Sequence, residues 1–412
     1  MSDIWPFRAL RPRPELAAEV AAPPYDVVSS EEARQLARGK PYSFLHINKP
    51  EIDLPSEVDL YDDRVYAQGA RNLRRFMAEG VFVREQEPRF YVYQQSMGSH
   101  VQAGVVAAVS VAEYDAGLIK RHELTRKDKE DDRTRHVDEL NANDEPVFLT
   151  YRQLAAVDAL VNQVRASAPL YDFVAADGIG HRVWAVPTEL SAALQKAFQQ
   201  VPALYVADGH HRTAAAARVG RERKAKNPHH RGDEPYNYFM AVLFPHNQLQ
   251  ILDYNRVVKD LGGLSAEAFL SKVAEKFRVE KASSGRPEKP HQFGMHLQGQ
   301  WYRLEAIPGT FRADDPIGSL DVSILQENLL APVLGIADPR TDKRIDFIGG
   351  IRGLAALEQR VAEGWAVAFA LYPTSLEQVM AVADAGLIMP PKSTWFEPKL
   401  RSGLLVRTLD TW

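Results

Sequence analysis

Residues 203–218 read ALYVADGHHRTAAAAR. The first five are apolar and rich in β-formers, the pattern of a short buried strand. From Thr213 onward the alanines favour helix. Between them, Asp208-Gly209-His210-His211-Arg212 forms a strand-to-helix turn. A helix starting there leaves backbone N–H groups without intrahelical partners, at the positive end of its dipole, which suits an anion. Arg212 adds a planar fork matched to phosphate or carboxylate. His210 and His211 add groups that titrate near neutral pH. The same residues allow plainer roles: Asp208 as helix cap, Gly209 as turn former, or Asp208 with the two histidines as metal ligands. Two histidines and an arginine in one turn favour the anion.

The surrounding chain is ordinary in bulk. It has 412 residues, 45% hydrophobic and 25% charged, with a net charge of −4. That charge supplies no field for nucleic acid or an anionic membrane. There is no cysteine, which excludes disulfides, thiolate catalysis and Cys-ligated metal. The first residues, MSDIWPFRAL, lack a signal-peptide pattern, and no apolar run reaches a membrane span. The expectation is a cytoplasmic protein without a membrane or nucleic-acid partner; a homodimer is left open.

Outward from the turn, the pattern alternates strands and helices. Residues 4–10 and 42–48 read as strands. Ser29 caps a helix that Gly39 closes, and 59–79 is a helix closed by Gly80. Residues 89–96 and 101–114 form a hairpin. The charge-dense run 126–141 reads as a solvated helix, and its Lys127, Lys129, Arg133, Arg135 and His136 could meet a polyanion. Strands follow at 146–151, 181–186 and 236–245, with helices at 157–166 and 188–199, the latter capped by Thr188. Residues 221–234 read as a loop with exposed His229 and His230. Residues 320–334 are an amphipathic helix. Residues 366–372, 375–385 and 386–396 suggest a strand–helix–strand crossover.

Four separated motifs together resemble the domain-of-unknown-function 1015 family, nearly end to end: APPYDV at 22–27, RHE at 121–123, ADGHHR at 207–212 and MPPKSTWFEPKL at 389–400. The DGHHR turn is also similar to the ParB/sulfiredoxin-like fold, whose members include an ADP-dependent free-serine kinase. One departure is Asn255-Arg256, where a His-Arg pair is common in the family. The resemblance implies a mixed α+β fold: a ParB/sulfiredoxin-like nucleotide-binding core over 1–262, with a large insertion at about 49–203, then a C-terminal α/β lobe over 263–412 returning to the site. In that group the turn holds nucleotide phosphates.

Phosphoryl transfer needs cations on the phosphates, Mg²⁺ between them and a base for the attacking hydroxyl. Asp26, after a rigid Pro-Pro-Tyr, Glu123 and His210 are the catalytic candidates. Asp208, Gly209, His210, His211, Arg212, Arg121, Lys392, Ser393 and Thr394 are assigned to the nucleotide phosphates. Tyr25, His122 and Arg256 are assigned to the acceptor, and Glu123 and Asp208 to Mg²⁺. No GxxxxGK[ST] loop and no GxGxxG after a strand is present, which excludes a P-loop NTPase and a Rossmann dinucleotide site. The implied function is a kinase-like phosphotransferase using ADP or ATP on a small hydroxyl compound, free L-serine favoured. The alternatives are a ParB-like nucleotide-binding regulator and a metal-dependent hydrolase. Asp26, Arg121, Glu123, His210, Arg212 and Lys392 should border one cleft. With Arg212 on an exposed helix start, Arg212→Ala should weaken nucleotide binding by about 1.5–3 kcal/mol at little cost to folding.

Overall fold

A computed structural model describes residues 2–410. The chain is mixed α and β and divides into two units: residues 1–249 with 398–412, and residues 250–397. The division falls at Leu249 and again at Pro398, where the sequence reading set one division near 262.

In the first unit the described residues build a nine-stranded sheet. Its strand order is Ile119–Lys120, Leu204–Asp208, Val147–Tyr151, Tyr238–Pro245, His100–Ser110, Tyr91–Met97, Gly180–Ala185 and Tyr171–Val174, with Ile4–Trp5 also pairing on His100–Ser110. Leu204–Asp208 runs antiparallel to Val147–Tyr151 and parallel to Ile119–Lys120. The strands Val147–Tyr151 and Tyr238–Pro245 are mostly apolar, as a sheet covered on both faces requires. Val105, Leu149, Val206 and Leu243 pack with Val157 and Phe198 of the helices Ala155–Arg165 and Thr188–Phe198. The hairpin of Tyr91–Met97 and His100–Ser110 forms, but its second strand stops short of the expected 114, where Ser110 caps the short helix Val111–Asp115.

A second cluster joins the helices Ser30–Ala37, Leu45–Asn48 and Asp63–Ala78 to the strand pair Leu10–Pro12 and Phe82–Arg84. Ser29 closes a capping box with Glu32, as Ser followed by Glu three residues later predicts. Val406 enters this cluster from the far end of the sequence. Arg407–Thr408 pairs with Ala142–Asn143, and Ala22 bridges Ser402. Gly403 makes the passage feasible: its φ is +87°, and a Cβ there would lie 2.6 Å from the Phe44 ring.

The second unit is built on an antiparallel sheet of Phe277–Ala282, Gln300–Ala306, Gln292–Leu297, Val367–Leu371, Tyr254–Val258 and Ile345–Gly349, in that order. The helix Gly353–Ala362 lays Leu357 against Val257, Ile348 and Ala368.

Several expectations are corrected. Residues 4–10 form two short strands rather than one; Pro6 lies between them and cannot donate to a ladder. Residues 42–48 form a turn and a short helix, with Phe44, Leu45, Ile47 and Asn48 all buried; a short apolar run does not distinguish strand from helix by period. The charged helix Lys127–Leu140 is not simply solvated: Arg133, His136, Val137 and Leu140 form a buried stripe at helical spacing. Its other bases are engaged too, Lys127 with Asp131, Lys129 with Tyr61 and Arg135 with Asp63. Pro187, not Thr188, precedes the next helix, without a side-chain cap. The loop predicted from 221 begins only after the helix His210–Lys226, and His230 meets Glu234 at 2.9 Å. Residues 321–325 are helical, but 326–330 widen to a π-turn before Pro332. The crossover is absent: Trp395–Glu397 pairs with Gln250–Leu252, outside the sheet holding Val367–Leu371.

Candidate functional site

The turn in the first unit forms as the sequence predicts. The strand ends at Asp208 and the helix begins at His210. Gly209 between them has φ +91°, a conformation glycine adopts without a Cβ penalty. A Cβ there would also sit 3.0 Å from Arg212 Nε. Asp208 does not cap this helix. Its Oδ1 accepts from the Gly209 N–H at 3.0 Å, and the helix start has no side-chain cap at all.

Arg212 is buried, at 7% exposure, and not on an exposed surface. Its Nη1 donates to the Pro146 carbonyl at 2.7 Å. Its Nη2 lies 3.9 Å from Asp26 Oδ2 and 3.9 Å from Asp208 Oδ2. Burial opposes its charge, but Asp26, Glu145 and Asp208 together raise its pKa. Truncating it would strand carboxylates, so the expectation that Arg212→Ala costs folding little is corrected. Lys399 Nζ reaches Asp208 Oδ2 at 3.1 Å. Burial alone would raise the Asp208 pKa; Lys399 and Arg212 hold it below the usual carboxylate range.

The histidines contribute shape and hydrogen bonds rather than charge. His210 is buried, and burial lowers its pKa to about 3, with nearby His211 and Arg121 adding to the effect. Its Nε2 accepts from the His122 N–H at 3.4 Å, which leaves the proton on Nδ1, 3.7 Å from Glu123 Oε2. His122 is 1% exposed; burial lowers its pKa to about 3, and its ring meets that of His210 edge-on at 4.4 Å. His211 accepts from the Arg126 N–H at 3.1 Å, and burial lowers its pKa as well. The expectation that His210 and His211 titrate near neutral pH is therefore corrected. Of the six residues expected to border one cleft, Asp26, Glu123, His210 and Arg212 stand around this turn with Asp208 and His211; Asp26 and Arg121 are exposed and Glu123 is half-buried, and Lys392 belongs to the second unit.

Tyr25 is held from two sides. Its N–H donates to Glu145 Oε1 at 2.9 Å, and Arg133 lies 4.0 Å over its ring. Arg133 is buried and pairs with Asp132 at 2.9 Å. Arg133 and Arg212 line one small cavity with Asp144 and Glu145.

The remaining predicted residues belong to the second unit. Arg256 is buried and spends its donors on the carbonyls of Tyr254, Pro391 and Lys392. Asn255, where the family commonly has His, accepts from the Leu371 N–H at 2.9 Å. Ser393 Oγ donates to the Pro390 carbonyl at 2.6 Å. Lys392 is exposed, with Nζ 5.6 Å from the Tyr254 ring, and Thr394 is half-buried.

The sequence reading missed Lys399 and Glu145, and offered Arg133 only as one of five bases that could meet a polyanion. Lys399 was within sight, as the second lysine of MPPKSTWFEPKL. Glu145 follows Asp144 and precedes Pro146 at the entrance of an apolar strand, and paired acids beside a proline were the available signal. Arg133 is one base in a dense charge run and carries no such mark.

The two carboxylates expected to hold Mg²⁺, Glu123 and Asp208, differ in their engagements. Both Asp208 oxygens are engaged, by Gly209 and Lys399. The Glu123 oxygens lie 3.7 and 3.9 Å from the two histidine rings, beyond hydrogen-bond distance. Among the described residues no three His, Asp or Glu side chains stand together as metal ligands. No helix among them is long and apolar enough to cross a membrane.

Residues 4–323 match the family model described as "Protein of unknown function (DUF1015)". The chain belongs to that family. No curated protein matches it. Similar solved structures include a free serine kinase variant in complex with ADP, at 13% identity, covering 73% of this chain and 92% of that one, TM-score 0.37. They include a conserved hypothetical protein from Pyrococcus furiosus, at 12% identity over 74% of this chain and 97% of that one, TM-score 0.37. They also include SbnI with a C-terminal truncation from Staphylococcus aureus, at 13% identity over 73% and 87%, TM-score 0.39.

Proposed function

For this member of a family of unknown function, we propose a nucleotide-dependent phosphotransferase that acts on a small hydroxyl compound, free L-serine favoured. One observation carries the reading: an uncapped helix start at Gly209–His210 with Arg212 and Lys399 beside it and the carboxylates of Asp26 and Glu123 at its rim. Free N–H groups at the head of a helix hold phosphate oxygens. Arg212 and Lys399 supply the positive charge, since His210 and His211 are neutral near pH 7. The histidines donate hydrogen bonds and exclude water.

In this reading Asp26 takes the proton of the acceptor hydroxyl as its oxygen attacks the terminal phosphorus. The bond to the bridging oxygen breaks, and AMP leaves from ADP, or ADP from ATP. Mg²⁺, which binds through one or two carboxylates together with phosphates, would neutralise charge on the phosphates. Glu123 is the residue to hold it, because its oxygens are the uncommitted ones. Arg121 completes the phosphate set from the exposed side.

Incubating the protein with ADP or ATP, Mg²⁺ and serine should yield phosphoserine. Asp26→Asn should keep nucleotide affinity within about threefold and lower kcat by roughly a hundredfold or more, the scale of general-base catalysis. Calorimetric binding without turnover on any hydroxyl acceptor would instead support a nucleotide-binding regulator.

A further inference from the structure

We propose that Glu145 is a positioning residue: a single buried carboxylate oxygen that fastens the Asp26 loop and the Lys399 segment to the phosphate-binding turn. Three donors from three chain segments converge on Glu145 Oε1. They are the Tyr25 N–H at 2.9 Å, Asn48 Nδ2 at 2.9 Å and Ser402 Oγ at 2.8 Å. Asp26 follows Tyr25 directly, and Lys399 stands three residues before Ser402. The next residue after Glu145 is Pro146, whose carbonyl takes Arg212 Nη1 at 2.7 Å. The three charged groups of the site therefore hang from one short stretch of backbone.

The neighbours reinforce the arrangement. Asn48 Nδ2 also reaches the Pro23 carbonyl at 3.2 Å. Ala22 and Ser402 exchange backbone hydrogen bonds of 3.2 and 2.9 Å. The Asp26 loop and the Lys399 segment are thus joined to each other as well as to Glu145. A carboxylate is suited to the task because each oxygen offers two lone-pair sites and shared negative charge, so one oxygen accepts several donors. A glutamine can present its carbonyl oxygen at the same place without the charge.

What Glu145 positions rests on the phosphotransferase reading, whereas the fastening itself does not. The test uses the full chain as wild type, Glu145→Ala, Glu145→Gln and Ser402→Ala. Amide hydrogen exchange is followed over residues 22–28 and 398–403, with the strand His100–Ser110 as reference. Turnover is followed with ADP or ATP, Mg²⁺ and serine. We expect Glu145→Ala to speed exchange at least tenfold in both segments together and to leave the reference strand unchanged. kcat should fall tenfold or more with nucleotide KM within threefold, and Glu145→Gln should recover most of both losses. Ser402→Ala should loosen 398–403 alone, and this variant decides the matter if Glu145→Ala fails to fold. Exchange rising in neither segment, or equally in the reference strand, overturns the proposal, as does a Glu145→Gln protein no better than Glu145→Ala. If the wild type neither binds nucleotide nor turns over, the phosphotransferase reading falls and the exchange result still decides the fastening.

Discussion

Two buried arginines sit beside the two motif loops, one in each unit, and they are wired differently. Arg212 in the DGHHR turn faces Asp26, Asp208 and one carbonyl, and its pKa is raised against the effect of burial. Arg256 beside the MPPKST loop faces carbonyls, and burial lowers its pKa to about 10. Both are buried to the same degree. The difference is in the counter-charges. The carboxylates around Arg212 are counter-ions, the kind of partner that another anion can replace. Carbonyls around Arg256 are the loop's own backbone, so that guanidinium fixes the course of residues 390–392. Burial of a cation does not mark a ligand site; exchangeable counter-ions do.

The largest expected effect breaks this contrast directly. Arg212→Met should destabilise the first unit by about 3–5 kcal/mol, because it removes the cation beside buried Glu145 and half-buried Asp208. Arg256→Met should cost about 1–3 kcal/mol, the loss of hydrogen bonds to carbonyls. Urea unfolding followed by circular dichroism compares them, and equal costs would erase the distinction.

Acid sharpens the same comparison. Burial holds the pKa values of His122, His181 and His210 in the first unit at about 3, against 6.5 when unfolded. Between those values the unfolded chain binds protons that the folded one refuses. Stability is full above pH 6.5 and declines as pH falls toward 3, by up to about 1.4 kcal/mol per pH unit for each histidine. Burial raises Glu113 in the same unit to about 7, which offsets one of them. In the second unit burial raises Asp321 to about 7. Its folded form holds a proton the unfolded form has lost, so its contribution is full below about 3.8 and disappears as pH rises through 7. From pH 7 to 5, hydrogen exchange corrected for intrinsic rates should report the first unit weakening relative to the second. His210→Asn should flatten the first unit's slope. A first unit that gains stability on acidification would contradict the burial of these rings.

The smallest effect separates the two lysines of the MPPKSTWFEPKL motif. Lys399→Met breaks the 3.1 Å contact with Asp208 and should weaken nucleotide binding by about 1.5–3 kcal/mol. Lys392→Met removes an exposed contact with the Tyr254 ring and should change stability by less than about 1 kcal/mol. Calorimetry on both variants ranks them, and a larger binding loss from Lys392 would move the phosphate contact to the second unit.

What was legible in the sequence follows from where the causes lie. The DGHHR turn is local: apolar strand, glycine, helix formers, all within sixteen residues, and it forms as read. The capping box at Ser29 and the hairpin at 91–110 are local too. Arg212's burial was not legible, because its partners Asp26, Glu145 and the Pro146 carbonyl lie on distant segments. The charged helix Lys127–Leu140 misled for the same reason. Its buried polar stripe is stabilised by Tyr66, Asp144 and Tyr25, and residues that are polar in sequence become interior only once those partners exist. The crossover failed because local pattern sets strand and helix but not which sheet a strand joins.

The return of residues 398–410 to the first unit also sets an order of assembly. A ribosome delivers the sheet strands, the DGHHR turn and Glu145 first, then the whole second unit, and only afterwards Lys399, Ser402 and Arg407. Until that moment Asp208 lacks its lysine and Ala142–Asn143 lack their partner strand. Contacts across so wide a sequence separation form late, after the loop between them has been closed at an entropic cost. A nascent chain therefore carries an unfinished DGHHR turn while the second unit is being made, and the contacts of that turn are completed among the closing events of synthesis.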